Sequence, residues 1–324
     1  LIAKDFTPSM TSQINKDNVS AIVTEVGGVT SHSAILARAM GIPAVFSVVG
    51  AVDSIADGEQ LIVDGFKGKV FISPNDAELE EYSAKQQAYL EERESLNEYF
   101  GKPTVTKSGI VKKVYGNIGK AEDAQNVVQN GGEGIGLFRT EFLFMDREHQ
   151  PTEDEQFEAY STVAKAMDNK EVIIRTLDIG ADKAIDYLSI EKEDNPFLGY
   201  RAIRYCLGNK ELYKTQLRAI LRAAQFGNIK IMLPLVTTVD EVKQAKALIK
   251  ECCDELENEG LRYRNVPVGV MIETPSAALI SDLLGKEAEF FSIGTNDLTG
   301  YTMAVDRGNA NVSYLYDVFQ PAVL

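Results

Sequence analysis

The sequence predicts an α/β protein in three parts: a small α/β domain, a long helix and an incomplete barrel of β/α units. Short apolar runs alternate with helical patterns over most of the chain, which is typical of parallel strands covered by helices. The composition changes at Asn75 to a highly charged helical stretch. The length of 324 residues exceeds one ordinary hydrophobic core, so more than one domain is expected.

The first part covers residues 1–74. The segment "AIVTEV" at 21–26 indicates a buried strand, and "SHSAILARAM" at 31–40 indicates the helix that follows it. The segments at 59–65 and 68–74, "EQLIVDG" and "GKVFISP", together indicate a β-hairpin. We therefore expect a small α/β domain here.

The second part is a linker helix predicted over residues 75–102. Its apolar residues fall at spacings compatible with one helical stripe, which polar Gln86 and Arg93 interrupt. They are Leu79, Tyr82, Tyr89, Leu96 and Phe100. A highly charged helix of this kind is more typical of a solvated spacer lying on a neighbour than of a coiled coil.

The third part, residues 103–324, repeats one pattern in which an apolar strand is followed by a helix. The strand segments are "VKKVYGNI", "GIGLFR", "EVIIRTLD", "IKIMLPLV", "VPVGVMIE" and "FFSIGTND". Thr152 with Glu155 predicts a capping box, and Thr274 before Pro275 predicts another helix start. The pattern corresponds to the first six units of a (β/α)8, or TIM-type, barrel.

Composition excludes several classes of function. A formal net charge of −15 argues against a nucleic-acid surface, and no apolar run approaches the roughly 20 residues of a membrane helix. The cysteines Cys206, Cys252 and Cys253 include an adjacent pair that disulfide geometry disfavours, and they lack metal-ligand spacing. We therefore expect a cytoplasmic protein, and because the chain starts at Leu1 we expect it to be a piece of a longer one.

Polar residues interrupt the apolar pattern where the predicted barrel strands end. Arg139, Arg175 and Glu273 each follow a strand directly, and Asn296 and Asp297 follow the last one. The loops after parallel barrel strands converge on one mouth, where barrel enzymes hold their active sites. Any one of these residues is explained by a surface ion pair. Five at the same end of the strands favour a functional site.

These residues sort into two chemical roles. Guanidinium groups form bidentate, charge-assisted hydrogen bonds with carboxylates and phosphates. The arginines suited to grip a small anion are Arg139, Arg175, Arg201 and Arg307. Glu273 and Asp297 supply the hard oxygen ligands that Mg²⁺ prefers. Together they predict a metal-assisted phosphate site.

The glycine-rich segment "GGEGIG" at 131–136 has a competing explanation as a dinucleotide site. It precedes a strand, whereas the dinucleotide fingerprint follows a strand and opens a helix. A turn between a helix and a strand explains these glycines better.

His32 lies in the first turn of the helix predicted at 31–40. Free N–H groups and the positive end of the dipole there stabilise an added negative group. A histidine in a first turn is more often a surface or capping residue than a catalytic one. A metal-ligand role is less favoured, because His149 is the only other histidine and no ligand cluster accompanies His32.

The motifs carry a resemblance to a known family. The segment "GGVTSHSAILARAMGIPAV" resembles the phosphohistidine segment shared by enzyme I of the bacterial phosphotransferase system and the pyruvate phosphate dikinases. Further segments resemble successive barrel motifs of enzyme I. They are "GIGLFRTEFLFMDR", "IIRTLDIGADK", "NPFLGYRAIR", "VGVMIETPSAA" and "FFSIGTNDLTGYTMAVDRGN". The resemblance covers practically the whole chain and implies a phosphoenolpyruvate–protein phosphotransferase.

The resemblance also implies a role for each matching residue. His32 corresponds to the phosphorylated histidine, and Thr11 falls where the family has a hydroxyl close to that ring. Glu273 and Asp297 correspond to the magnesium ligands. The residues that correspond to the substrate-binding group are Arg139, Arg175, Arg201, Asn296, Asp297 and Arg307.

The implied reaction passes the phosphoryl group of phosphoenolpyruvate to His32 and then to a histidine of a small phosphocarrier protein, in the first step of sugar uptake. The family's barrels pair, which implies a homodimer of the full-length protein. Its acceptor-docking helical domain and its proton-donating cysteine have no counterpart here, so low turnover is expected. A dikinase or phosphoenolpyruvate-synthase-like enzyme and a non-catalytic regulatory fragment stay open, and sugar-linked and nitrogen-linked systems are not separated.

Overall fold

The computed structural model describes residues 1–5, 18–27, 34, 37, 41–145, 147–180, 185–188, 190–307, 309 and 311–324. The chain divides into two compact units, Leu1–Tyr99 and Phe100–Leu324. The long helix therefore falls within the first unit, and the domain boundaries expected after residues 74 and 102 stay predictions. None of the described helices is long and apolar enough to cross a bilayer.

The first unit contains a small parallel sheet and a hairpin. The sheet has the order β1 (Ile2–Ala3), β2 (Ile22–Thr24), β3 (Ala44–Val45). After α1 (Ala51–Ser54), the strands β4 (Leu61–Asp64) and β5 (Lys69–Ile72) pair in antiparallel register. The buried strand and the hairpin expected in this part are confirmed. Most of the helix predicted at 31–40 lies outside the described residues.

The helix α2 (Asp76–Ser95) begins at a capping box. The Asn75 side chain accepts a hydrogen bond from the Glu78 N–H at 3.0 Å, and the Glu78 carboxylate accepts one from the Asn75 N–H at 2.9 Å. The helix has no buried residue, as the charged sequence predicts. Its rings contact the hairpin of its own unit, in the pairs Tyr82 with Phe71 (5.0 Å) and Tyr89 with Phe66 (5.6 Å between centroids). Its part as a linker stays a prediction.

The second unit is built on a six-stranded parallel sheet whose strands lie in sequence order. They are β6 (Gly116–Ile118), β7 (Gly134–Arg139), β8 (Glu171–Arg175), β9 (Asn228–Leu233), β10 (Val268–Ile272) and β11 (Phe291–Ile293). Every neighbouring pair is parallel, and the last residues of β7 and β8, Arg139 and Arg175, face each other in register. The six parallel β/α strands predicted from the sequence are confirmed, and they form half of a barrel.

Helices follow or separate these strands. They are α3 (Asp123–Gln129), α4 (Glu153–Ala166), α5 (Ala202–Gly208), α6 (Lys210–Ala223), α7 (Val239–Asn258), α8 (Pro275–Leu279), α9 (Ser281–Leu284) and α10 (Thr295–Met303). Both predicted helix starts are confirmed, because Thr152 forms a capping box with Glu155 and Thr274 accepts from the Ala277 N–H. Gly131 and Gly132 lie in the turn between α3 and β7, with Gly131 at φ +73°, whereas Gly134 and Gly136 belong to β7 itself.

The central strands β8, β9 and β10 of the second unit are largely buried on both faces, as is usual in a parallel sheet. Ile174 and Ile231 belong to the main core that the strands share with the covering helices. On the opposite face, Ile173, Met232 and Met271 form a separate cluster inside the half-barrel. Because apolar side chains occupy both faces, polar chemistry is left to the strand ends.

Candidate active site

The polar residues after the barrel strands gather at the carboxyl ends of those strands. Arg139 and Arg175 are the last residues of β7 and β8, and Glu273 directly follows β10. Asp297 lies in the first turn of α10, four residues after β11. The loops that carry these side chains therefore share one end of the half-barrel.

Arg175 is fixed by two carboxylates on neighbouring segments. It is 7% exposed, and its Nη2 donates to Oε1 of Glu141 at 2.7 Å while its Nη1 lies 2.9 Å from Oδ2 of Asp178. Burial disfavours the charged guanidinium, but Asp178, Glu141 and Glu273 outweigh it and raise the pKa of Arg175. The side chain is therefore a permanently charged, rigid donor.

Arg201 joins the same network from the N-cap of α5. Its Nη2 donates to Oδ1 of Asp178 at 2.9 Å and to Oδ2 of Asp297 at 3.3 Å, and its Nη1 donates to the Tyr301 hydroxyl at 3.3 Å. Burial opposes the charge of Arg201, yet Asp178 and Asp297 raise its pKa above the usual value. Asp178 thus bridges two arginines. We call Glu141, Arg175, Asp178, Arg201 and Asp297 the mouth cluster.

Glu273 is a buried carboxyl beside this cluster, 3% exposed. Its Oε1 accepts from the Leu235 N–H at 2.5 Å. Burial raises the pKa of Glu273 to about 8, the charges of Asp178 and Asp297 add to the rise, and Arg175 opposes it. A Cβ at Gly294 would lie only 2.7 Å from Glu273 Oε2, so the glycine makes room for this carboxyl.

Glu273 and Asp297 fit a divalent cation. The charge of Asp297 contributes to the raised pKa of Glu273, and a cation held by both carboxylates would remove that repulsion. No group of three His, Cys, Asp or Glu side chains capable of holding a metal occurs in the described part of the chain. Mg²⁺ is usually held by one or two carboxylates together with water and substrate oxygens, so this pair suits it.

Three guanidinium N–H groups at the mouth lack partners. The Nε atoms of Arg139, Arg175 and Arg201 are shielded from solvent and have no hydrogen-bond acceptor among the described residues. Arg139 is half-buried, with its guanidinium 5.0 Å from the centre of the Phe142 ring. Buried donors without acceptors are costly. An anion reaching the mouth would supply the acceptors.

Among the described residues, neither Asn296 nor Arg307 shares a hydrogen bond or ion pair with this network. Asn296 is exposed, and its backbone and side-chain oxygens each accept from the Tyr316 hydroxyl at 3.1 Å. Arg307 is exposed and makes no hydrogen bond or ion pair with another described residue. His32 and Thr11 lie outside the described residues. The structure therefore brings together Arg175, Arg201, Glu273 and Asp297, with Arg139 beside them on the next strand.

Sequence reasoning missed two residues that organise the site. Glu141 and Asp178 supply the carboxylates that hold Arg175, and both are almost fully buried. Each follows a strand end by two or three residues. The rule that selected Asn296 and Asp297 a few residues beyond the last strand would have found both acids if it had been applied in the same way after β7 and β8.

Comparison with known proteins identifies two family domains. Residues 93–324 match the model of the PEP-binding domain of PEP-utilising enzymes, where PEP is phosphoenolpyruvate, and residues 1–68 match the mobile domain of the same enzymes. A solved NMR structure of Enzyme I is 44% identical over 27% of this chain and 36% of its own, at a TM-score of 0.26, which is too low to establish a shared fold.

Relatives named phosphoenolpyruvate-protein phosphotransferase match the chain from end to end. Those of Bacillus subtilis, Priestia megaterium and Staphylococcus carnosus are 50%, 49% and 47% identical over 100% of this chain. The chain spans 57% of the length of each. With a family model matched over most of its residues, the chain belongs to the PEP-utilising enzymes.

Proposed function

We propose that this chain transfers a phosphoryl group from phosphoenolpyruvate to its own His32. The observation that carries the proposal is the mouth cluster, in which buried arginines keep unpaired Nε–H donors beside two carboxylates suited to Mg²⁺. The names of the relatives support the same reaction. Anion-binding groups and cation-binding groups at one barrel mouth are what phosphoryl transfer requires.

The proposed substrate carries a phosphate and a carboxylate, and the arginines would bind both. Arg139, Arg175 and Arg201 present the unpaired donors, and Arg307 and Asn296 are proposed to contact the substrate from the exposed side. Glu273 and Asp297 would hold Mg²⁺, which neutralises charge on the phosphoryl and enolate oxygens when bound. The chain's own part is positioning, because phosphoryl transfer needs little covalent chemistry from the protein.

The proposed step forms a nitrogen–phosphorus bond as the phosphorus–oxygen bond of phosphoenolpyruvate breaks. The neutral ring of His32 attacks the phosphorus in line, and the departing enolate takes up a proton to become pyruvate. An unperturbed histidine has a pKa of about 6.5, so most of it is an available nucleophile near neutral pH. Thr11 is proposed to orient the ring through its other nitrogen.

In the second proposed step, phospho-His32 passes its phosphoryl group to a histidine of a small phosphocarrier protein, at the start of sugar uptake. We propose a cytoplasmic location, which is supported by three buried cysteines that are all free thiols. A homodimer of the complete protein is part of the same proposal.

The test uses ³²P-labelled phosphoenolpyruvate with Mg²⁺ and the complete gene product that carries this sequence. We expect an acid-labile label that His32→Ala abolishes. His149→Ala, which changes the other histidine of the chain, is the matched control and should keep the label. A label that survives acid, or one retained in His32→Ala, would contradict the proposal. Loading from labelled ATP instead would identify a dikinase.

A further inference from the structure

A buried amide lies directly behind the mouth cluster. Gln216 on α6 has no exposed surface. Its Oε1 accepts from the Leu177 N–H at 2.9 Å, and its Nε2 donates to the Thr140 hydroxyl at 3.0 Å and to the Tyr160 hydroxyl at 3.1 Å. Both N–H groups of the amide and its carbonyl oxygen are therefore used.

These bonds reach the segments that carry the site. The Thr140 hydroxyl donates in turn to the backbone carbonyl of Arg175 at 2.8 Å. Thr140 lies immediately before Glu141, and Leu177 lies immediately before Asp178. One side chain thus links the residues that follow β7 to those that follow β8, next to both carboxylates that hold the Arg175 guanidinium.

A glutamine at this position needs an explanation, because the fully buried side chains that follow it on α6 are apolar. Leu217, Ile220 and Leu221 are fully buried beside it. Burying an amide is costly unless it is hydrogen-bonded, and an apolar side chain of similar size packs without that cost. A leucine or methionine at this position could not make the hydrogen bonds that Gln216 makes to Leu177, Thr140 and Tyr160.

We propose that Gln216 is a positioning residue for the mouth cluster: it holds the ends of β7 and β8 so that Glu141 and Asp178 fix the Arg175 guanidinium. Gln216 touches neither the proposed substrate nor a charged group of the site. Its effect on substrate binding rests on the proposed function, whereas its effect on Arg175 does not.

The experiment compares Gln216→Met with Gln156→Met in the full chain. Gln156 is equally buried and belongs to the same network, since it accepts from the Tyr160 hydroxyl at 3.1 Å and donates to the Pro151 carbonyl at 3.1 Å. Within the described part of the chain its side chain makes no hydrogen bond to the residues that follow β7 or β8, so it controls for the loss of a buried amide. Thermal unfolding of both variants measures how much stability is lost when a buried amide is removed.

The first readout is the hydrogen-exchange rate of the Arg175 Nε–H group in ¹⁵N-arginine-labelled protein, assigned by its absence in Arg175→Lys. We expect Gln216→Met to raise the rate about tenfold, because the segments that hold the Arg175 guanidinium lose the hydrogen bonds that fix them. Gln156→Met should stay within about twofold of the unchanged protein. Equal rates in all three proteins overturn the proposal.

The second readout is the dissociation constant for phosphoenolpyruvate in the presence of Mg²⁺. We expect Gln216→Met to weaken binding about tenfold and Gln156→Met to change it less than about twofold. If Gln216→Met exchanges its Arg175 Nε–H faster but binds phosphoenolpyruvate with unchanged affinity, the proposal is overturned as well. If the unchanged chain does not bind phosphoenolpyruvate, the proposed function fails in this chain, and the exchange rate alone decides the role of Gln216.

A second pair of variants covers the case in which Gln216→Met does not fold. Thr140→Val removes the hydroxyl between Gln216 and the Arg175 carbonyl, whereas Thr140→Ser keeps it. We expect Thr140→Val to reproduce the faster Arg175 exchange and Thr140→Ser to match the unchanged protein. The same exchange rate in both would show that the hydroxyl link has no positioning role.

Discussion

The second unit contains two clusters of arginines and acids with similar chemistry and opposite character. The mouth cluster is buried at the strand ends, and a second cluster lies on the outer helices. This outer cluster consists of Glu153, Asp154, Arg218, Arg222, Glu255 and Glu259. Arg218 binds Glu153 through Nε and Glu259 through Nη2, both at 2.6 Å, while the acids of the outer cluster keep a fifth or more of their side chains exposed.

The difference lies in what each cluster leaves unpaired. In the outer cluster, Nε, Nη1 and Nη2 of Arg218 all donate to carboxylates. In the mouth cluster, Nε of both Arg175 and Arg201 stays without an acceptor among the described residues, and Glu273 beside it has a pKa raised to about 8. All three nitrogens of Arg218 are therefore paired, whereas the mouth cluster keeps unpaired donors, which we propose bind an anion, beside carboxylates that we propose bind a cation.

The largest expected effect comes from Arg175→Met. It removes the buried guanidinium that pairs with Glu141 and leaves Asp178 paired with Arg201 alone, so we expect the free energy of unfolding to fall by about 3–5 kcal/mol. Phosphoenolpyruvate binding should be lost in the same variant. Urea denaturation measures the stability and calorimetric titration the binding. A loss below about 1 kcal/mol would mean that the mouth cluster resembles the outer one.

The next effect is expected for Gly294→Ala. The added methyl group would lie 2.7 Å from Glu273 Oε2 and 2.8 Å from Glu273 Cβ, so the carboxyl must move. We expect destabilisation of about 1–3 kcal/mol and weaker Mg²⁺ binding, measured by titration of the metal alone. Gly300→Ala in α10 is the control, because its methyl group meets nothing closer than 3.4 Å. Equal metal affinity in both variants would remove Glu273 from the proposed metal site.

Arg218→Met should reduce the stability of the protein less than Arg175→Met or Gly294→Ala. Its ion pairs are partly exposed, so we expect the free energy of unfolding to fall by about 1 kcal/mol and phosphoenolpyruvate binding to stay unchanged. Raising the salt concentration should shrink the difference, because exposed pairs are screened. Denaturation at low and high salt provides the measurement. A loss as large as that of Arg175→Met would erase the distinction between the clusters.

The smallest effect is expected for Glu155→Gln at the start of α4. Hydrogen bonds from the Thr152 backbone and then from Arg147 lower the pKa of Glu155 from 4.5 to about 2. The contribution of ionised Glu155 to the free energy of unfolding is fully present above about pH 4.5 and is lost as the pH falls toward 2. Glutamine keeps the cap but cannot titrate, so the variant should lose less stability between about pH 5 and pH 2, by under about 1 kcal/mol because the group is exposed.

Unfolding at both pH values, with Glu158→Gln on the same helix as the control, measures this effect. An acid dependence of Glu155→Gln equal to that of the unchanged protein would contradict the assignment. The two surroundings shift carboxyl groups in opposite directions, since the pKa of Glu273 beside the mouth cluster is raised and the pKa of Glu155 on the exposed start of α4 is lowered.

Local features of the fold were predictable from the sequence, whereas the long-range hydrogen bonds and ion pairs between them were not. The capping boxes at Asn75 and Thr152 involve residues three apart, and the strands are short apolar runs, so each is visible in one window. The bridge from Asp178 to Arg201 spans 23 residues, and the bond from Thr140 to Gln216 spans 76. Such contacts depend on which strands become neighbours, a tertiary property that no local pattern contains.

Placement at a strand end also separated the site residues that were predicted from those that were not. Arg175 and Glu273 directly adjoin their strands, so the barrel rule found them. Arg307 was selected as a loop arginine and by resemblance, not by a place at a strand end, and it lies exposed and outside the network. His32 and Thr11 rest on the sequence alone.

Sharing one aspartate between two guanidiniums has an evolutionary consequence. Because Oδ2 of Asp178 faces Arg175 and Oδ1 faces Arg201, neither arginine can be reoriented without disturbing the other. Selection for a differently shaped substrate would therefore have to change the positions of both arginines together. We expect replacement of Asp178 to be the first substitution in such a divergence.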